Sequence, residues 1–537
     1  MFRKSLQIVC FMLVMSSMLL AACQPQPTPA TQEPVAPVQS SEAPAQVTEA
    51  PAQLTAEPVQ PEDVSTLIYA VPADVRSLDP SNAAGRLDVS IIYSICDLLA
   101  IRDENGVSQP HVAESWTRID PLTWEIKIRQ GIKFTNGEPL NAEAVKFTME
   151  RAREPEFNNN YQLPAQTKLK EVKIIDDYTV QFITEEPANT MEFWLAESPI
   201  IPPKYYGENS IDAVAEKPVG SGPYKFVEWV KDDHLTLERN EDYWGPRPGF
   251  KRIIFRIIPE QSSRLNELRA GNIDVASALS LDQASQADSD VSDAVYVVGL
   301  RKMHFGISLN GTQPALQDKR VRQALNYAVD KEAIVRDLLG NRTEILKSYV
   351  NPPNNNPKLK PYTYDPDKAK ALLSEAGYAD GFDLLIEARP NAYGFDKEIV
   401  TAVAEYLKAV GINPTIQYLE SGLFLDKLDK KSFDGLHFMG WAALINPIIE
   451  NLILTCGHVD NSVDYCNEEV DNLYFQMLSE PDPAKRQDLN FQIQEIIWED
   501  APWLYLWRLP MVYGVSKDVD YKPRADGYIF LWEAKPK

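Results

Sequence analysis

Trp124-Glu125-Ile126-Lys127-Ile128-Arg129-Gln130-Gly131-Ile132-Lys133-Phe134-Thr135-Asn136-Gly137-Glu138-Pro139-Leu140-Asn141 changes its hydrophobic period partway along. Trp124, Ile126 and Ile128 alternate with charged residues, the period-two pattern of a strand with one buried face. Asn136-Gly137 follows as a tight turn, because both residues tolerate the positive φ that such turns need. Asn141 then caps a helix on which Val145, Thr148, Met149 and Ala152 share one face. Strand, turn and capped helix in direct succession place the chain in the mixed α/β class.

The alternation continues on either side. Thr66-Leu67-Ile68-Tyr69-Ala70-Val71 reads as a buried strand, Ser77-Leu78-Asp79-Pro80 as a turn, and residues 90–99 as an apolar helix. Gly220-Ser221-Gly222-Pro223-Tyr224-Lys225-Phe226 reads as a glycine turn entering a strand. No Gly-Lys-Ser/Thr follows it and no helix opens there, so it is not a phosphate cradle. Asp318 opens one helix. Asp365 caps another, with Pro366 at its first position, Ala369, Leu372, Leu373 and Ala376 inward, and Gly377 as its stop. No repeat of fixed period is visible. Residues 65–537 are too many for one ordinary core, so about two or three domains are expected.

The N-terminus addresses the protein. Arg3 and Lys4 precede an apolar run that ends in Leu20-Ala21-Ala22-Cys23. That run is short for a bilayer core of ~30 Å, and its small-residue exit marks an export signal over residues 1–22. Leu-Ala-Ala-Cys resembles the lipobox of bacterial lipoproteins, which implies lipid attachment at Cys23. Residues 23–64 are mostly Pro, Ala, Gln, Glu, Thr, Ser and Val without an aromatic, a composition that predicts a disordered tether extended at ~3.1 Å per residue. The formal net charge is −24, and losing Arg3 and Lys4 with the signal makes it more negative. So acidic a body argues against nucleic acid and against docking on anionic lipid. Lipid at Cys23 is the one membrane attachment expected.

The side chains offer little chemistry. His111, His234, His304, His437 and His458 are scattered, and no His-Glu-x-x-His, Gly-x-Ser-x-Gly or dinucleotide fingerprint appears. Cys456 and Cys466 bracket a short polar loop that a disulfide would close in an oxidising exterior. A metal reading would enlist His458 and Asp460, but the spacing matches no zinc pattern. Cys96 reads as a small core residue. A binding protein without cofactor or metal is expected, not an enzyme. The alternative from another class, a secreted glycosidase with two carboxylates, turns on a spatial separation that the sequence does not contain.

A resemblance covers nearly the whole body. Its motifs are Ser77-Leu78-Asp79-Pro80, Pro110-His111-Val112-Ala113-Glu114-Ser115-Trp116, the run Arg129 to Leu140, Gly220-Ser221-Gly222-Pro223-Tyr224 and Asn240-Glu241-Asp242-Tyr243-Trp244-Gly245. Gly271-Asn272-Ile273-Asp274-Val275, Lys319-Arg320-Val321-Arg322-Gln323-Ala324-Leu325 and Tyr364-Asp365-Pro366 continue it in order. Together they resemble the family 5 extracellular solute-binding proteins, the oligopeptide, dipeptide and nickel receptors of ATP-driven (ABC) importers. The resemblance implies a two-lobed periplasmic-binding-protein-like α/β fold of type II with an extra N-terminal subdomain. It implies a hinge crossed twice, near 297–308 and 503–515. Lobe 1 would be 65–300, with a subdomain at about 105–215 and a return at 506–537; lobe 2 would be 301–505. The partners implied are a permease and ATPase complex, with the receptor a lipid-anchored monomer outside the cytoplasm.

The same resemblance assigns ligand contacts to Gly440, Trp441, Ala442, Leu444 and Asn446. Peptide-binding members carry an Asp three residues after this Trp that pairs with the peptide ammonium; here that position is Leu444. A buried ammonium without a carboxylate costs several kcal/mol, and Glu450 is the nearest substitute acid. An oligopeptide ligand is expected. The alternative is an oligosaccharide, for which Trp441, Tyr505 and Trp507 would be stacking platforms.

Overall fold

In the computed structural model, which describes residues 66–537 apart from 84, 158–162, 391, 442–444 and 481, the stretch that switches period is a strand, a turn and a helix. Thr123–Ile128 buries Trp124, Ile126 and Ile128, and Ala142–Arg151 is capped by the Asn141 carbonyl, which accepts from Ala144 N at 3.2 Å. Val145, Thr148 and Met149 are buried on its inner face, and Ala152 is its half-buried C-cap. The signal, Cys23 and the tether lie outside the described residues.

Ten strands form one large mixed sheet. In chain order they are β1 (Thr66–Val71), β2 (Tyr224–Val230), β3 (His234–Arg239), β4 (Arg252–Ile257), β5 (Val275–Leu279), β6 (Ser292–Ile307), β7 (Asp383–Ala388), β8 (Asn413–Tyr418), β9 (Leu436–Trp441) and β10 (Trp503–Ser516). Their spatial order is β8-β7-β9-β6-β10-β5-β1-β4-β3-β2. β1 runs parallel to β4 and β5, β7 runs parallel to β8 and β9, and the long central pair β6 and β10 is antiparallel. The expected mixed α/β class is borne out.

β6 and β10 run through both halves of the sheet. Val295, Val297, Met511, Tyr513 and Val515 pack into a core with Leu67, Tyr69 and Phe255. Met303, Phe305, Ile307, Leu504 and Leu506 pack into another with Val321, Ile386 and Val403. Between the two cores the β6–β10 register shifts, first between Val298 and Lys302 and again before His304. A bulge of this kind bends a strand and frees side chains from the ladder. A third core, built from Trp124, Ile126, Val180, Phe182 and Met149, fills the side of a four-stranded sheet.

The sequence motifs anchor these layers. Arg151 makes a bidentate ion pair with Asp79 at 2.7 and 2.8 Å and donates to Ser81 at 2.6 Å, tying the third core's helix to the Ser-Leu-Asp-Pro turn. Asp97 accepts from Tyr243 and Trp244 at 3.0 and 2.8 Å and faces His111 at 2.9 Å. Gly222 N donates to Ile95 O at 2.8 Å, where the helix Arg86–Ile95 ends. A Cβ on Gly220 would run into that same carbonyl, which is why glycine stands there. The helix occupies Arg86–Ile95 rather than 90–99, because Asp88 accepts from Gly85 N and fixes an earlier start.

At the register shift Lys302 is wholly buried, and its Nζ donates to Glu450 Oε1 at 2.5 Å. Asn351 N and Nδ2 donate to the same oxygen at 3.1 Å. Burial lowers the Lys302 pKa and raises that of Glu450, each opposed by the partner's charge. Removing one member of such a pair leaves a buried group unmatched. In urea titrations Glu450→Ala is therefore expected to lose about 3–5 kcal/mol, whereas joint Lys302→Met and Glu450→Leu substitution recovers most of it. Equal losses in both variants would show that the pair has no such role.

Candidate functional site

Two cavities open beside the register shift. The larger, about 720 Å³, is walled by Tyr69, Ser277 and Tyr513 from one half of the sheet and by Met303, Tyr393 and Trp507 from the other. The smaller, about 340 Å³, lies between the helix Arg86–Ile95, the third core and Arg301. Gly85 and Arg86 stand on the walls of both. Each volume falls in the range of ~300–1,000 Å³ usual for small-molecule sites. Thr148, Met149, Trp194 and Glu197 line the smaller cavity, so the Arg151–Asp79 anchor shapes it from behind.

The acids on these walls already have partners. Asp74 accepts from Trp229 Nε1 at 3.0 Å and from Asp232 N at 2.7 Å. Asp88 faces Arg76 at 3.5 Å and accepts from Gly85 N at 3.2 Å. Glu197 is ion-paired with Arg102 and accepts from Tyr93 at 2.5 Å and Tyr528 at 2.7 Å. Burial pushes the Tyr93 hydroxyl well above its ordinary pKa, so it stays protonated and donating.

Two guanidiniums are placed differently. Arg86 lies 4.0 Å above the Tyr528 ring centroid, and Arg301 Nη1 donates to Gly440 O at 3.1 Å. Among the described residues neither has a carboxylate within ion-pair distance. β6 pairs Met303 with Gly440, and a Cβ at Gly440 would come 2.8 Å from both Arg301 Cδ and Met303 Sδ. Glycine at this position gives Arg301 room to lie over the strand.

Of the residues assigned from the sequence, Gly440 thus reaches the site through its carbonyl and its missing side chain. Trp441 is half-buried, packs on two cores and buries an indole Nε1 without a hydrogen-bond partner among the described residues. Ala442 and Leu444 lie outside the described residues. Asn446 is committed to a cap, its Oδ1 accepting from Ile448 N at 2.9 Å and Ile449 N at 3.3 Å. Tyr505 is 1% exposed, packs against Trp503 and Tyr362, and stands on neither cavity's wall. Trp507 is equally buried in a core yet contributes to the larger cavity. Glu450 is wholly buried, pairs with Lys302 through Oε1 and stands on neither cavity's wall. Cys456 and Cys466 are joined by a disulfide. His304 and His437 are buried, and desolvation lowers both to about 3, as suits neutral core rings. Arg86, Arg301, Tyr93 and Glu197 were not indicated by the sequence, since each sits in an unremarkable local context.

A sheet whose two halves share two long strands, with a ligand-sized cleft at their junction, defines a periplasmic-binding-protein class of fold. The ABC transporter substrate-binding protein CtaP of Listeria monocytogenes superposes with a TM-score of 0.80 at 23% identity, over 88% of this chain and 99% of that one. DppA of Helicobacter pylori, solved with the peptide STSA, gives 0.70 at 24% identity, over 88% and 98%. The chain belongs to the bacterial extracellular solute-binding proteins of family 5: residues 108–459 match the family described as "Bacterial extracellular solute-binding proteins, family 5 Middle". The glutathione-binding protein GsiB of Escherichia coli O1:K1 is 28% identical over 475 residues, covering 84% of this chain and 91% of that protein. Among the described residues no helix is long and apolar enough to cross a membrane.

Because the atoms that would meet a Cβ at Gly440 belong to flexible side chains, Gly440→Ala should fold. It should also displace Arg301 from its carbonyl contact. Calorimetry with the solute recovered from the wild-type protein is expected to show affinity falling by about tenfold or more. Unchanged affinity would separate Gly440 from the site.

Proposed function

We propose that this protein is the receptor of an ATP-driven importer, held outside the cytoplasm by lipid on Cys23, and that it captures a peptide-like solute and passes it to permease and ATPase subunits. The observation that carries this reading is the larger cavity, walled by both halves of the sheet where two continuous strands cross between them. Residues 65–300 with 506–537 form one lobe and 301–505 the other, with about 105–215 as a subdomain of the first. A solute touching both lobes favours closure only by its greater affinity for the closed form. The receptor acts as a monomer and performs no catalysis; hydrolysis of ATP belongs to its partners.

A peptide-like solute is preferred over an oligosaccharide because Tyr505, one of the three aromatics that would have made a stacking platform, is spent in the core. The peptide bound to DppA and the glutathione named for GsiB support the same choice. Mass spectrometry of material released by denaturing the purified protein tests it. Peptides or peptide conjugates are expected, and a retained oligosaccharide would overturn the peptide reading.

The anchor has its own test. A lipid on Cys23 keeps the receptor at high local concentration near the permease. Cys23→Ser is expected to bind solute normally in vitro while uptake by cells falls; undiminished uptake would show the anchor to be dispensable.

A further inference from the structure

We propose that the solute is an anion, gripped through a carboxylate by Arg86 and Arg301 together, and that it is not held by an ammonium group. The inference deepens the receptor reading, on which it rests for the premise that the cleft receives a solute, and it places the solute's carboxylate in the smaller cavity, which shares Gly85 and Arg86 with the larger.

Both guanidiniums stand on the wall of the same 340 Å³ cavity. They come from separate parts of the chain: Arg86 opens the helix Arg86–Ile95, and Arg301 precedes the buried Lys302 on β6. Each is held by a neutral group, Arg86 by the Tyr528 ring and Arg301 by the Gly440 carbonyl. Both contacts orient a guanidinium while leaving its charge uncompensated. A planar fork presented in this way matches a carboxylate with two parallel hydrogen bonds, the strongest neutralisation that side chains offer.

The acid on this cavity's wall does not compete. Glu197 is ion-paired with Arg102 and accepts from Tyr93 and Tyr528. An incoming ammonium would have to break that set, whereas an incoming carboxylate finds two guanidiniums that have no carboxylate partner among the described residues. The formal charge of −24 disfavours anions in general, so an anionic solute needs such a local exception.

The test uses the intact protein, freed of retained solute, with glutarate as the probe and glutaramide as its uncharged counterpart, at fixed ionic strength. Glutarate is expected to raise the melting temperature saturably and glutaramide to leave it unchanged. Arg86→Gln and Arg301→Gln are each expected to weaken the glutarate response by about tenfold or more. Both arginines are exposed, so the variants should melt as the wild type does without probe. An equal response to glutaramide, a response that survives both substitutions, or no response in the wild type would overturn the proposal. The outcomes separate it from the receptor reading: retained peptide with no glutarate response leaves that reading standing and removes the anion. A retained oligosaccharide alongside an arginine-dependent response leaves the anion grip standing and removes the peptide reading.

Discussion

The contact on which the rest of the site depends is the buried pair Lys302–Glu450. Lys302 lies in the register shift of β6, where the strand passes from one hydrophobic core to the other. Its partner Glu450 is on the short helix Pro447–Leu452, and the same carboxylate oxygen receives two hydrogen bonds from Asn351, whose Nδ2 also donates to Leu300 O at 3.0 Å. One carboxylate thus ties two separate segments to the crossing strand. Ion pairs of this depth are often no more stabilising than apolar residues of equal volume. What this one supplies is position, because Arg301 is the next residue along and inherits whatever orientation the crossing strand has.

The same crossing divides what the sequence discloses from what it withholds. The strand, turn and helix of 124–151 are legible because each depends on neighbours within a few residues: alternation, an Asn-Gly turn and a side-chain cap. The family motifs are legible for a related reason, since several of them turn out to be joints in the scaffold. Asp79 holds Arg151, Asp97 gathers His111, Tyr243 and Trp244, and Gly220 and Gly222 press against Ile95. Such joints need particular residues at particular spacings, so they leave a recognisable trace.

The binding surface leaves no such trace. Arg86 and Arg301 belong to no motif, and their importance arises from the lack of a carboxylate partner among the described residues, which only the folded arrangement reveals. Tyr505 shows the converse case. An aromatic on an apolar strand has the same local pattern whether it faces a core or a cleft, and here the turn of β10 puts it in the core. Glu450 is similar, since the acid nearest the expected ammonium site is wholly buried and paired through Oε1 with Lys302.

The scaffold and the cleft are therefore under different physical constraints. A joint such as Arg151–Asp79 is satisfied within the protein and cannot be altered without a structural loss, because a buried charge would be left unmatched. A cleft side chain such as Arg86 completes its interactions only with solute, so it can change without penalty to the fold. Chains that share every joint can then receive quite different solutes, and likeness in fold, at 23% identity to CtaP, says little about cargo. Cargo is set by the charge left unpaired at the cleft, which here is positive within a protein whose net charge is strongly negative. A strongly acidic body repels an anion at a distance, so the cleft arginines act on the solute's retention and not on its approach.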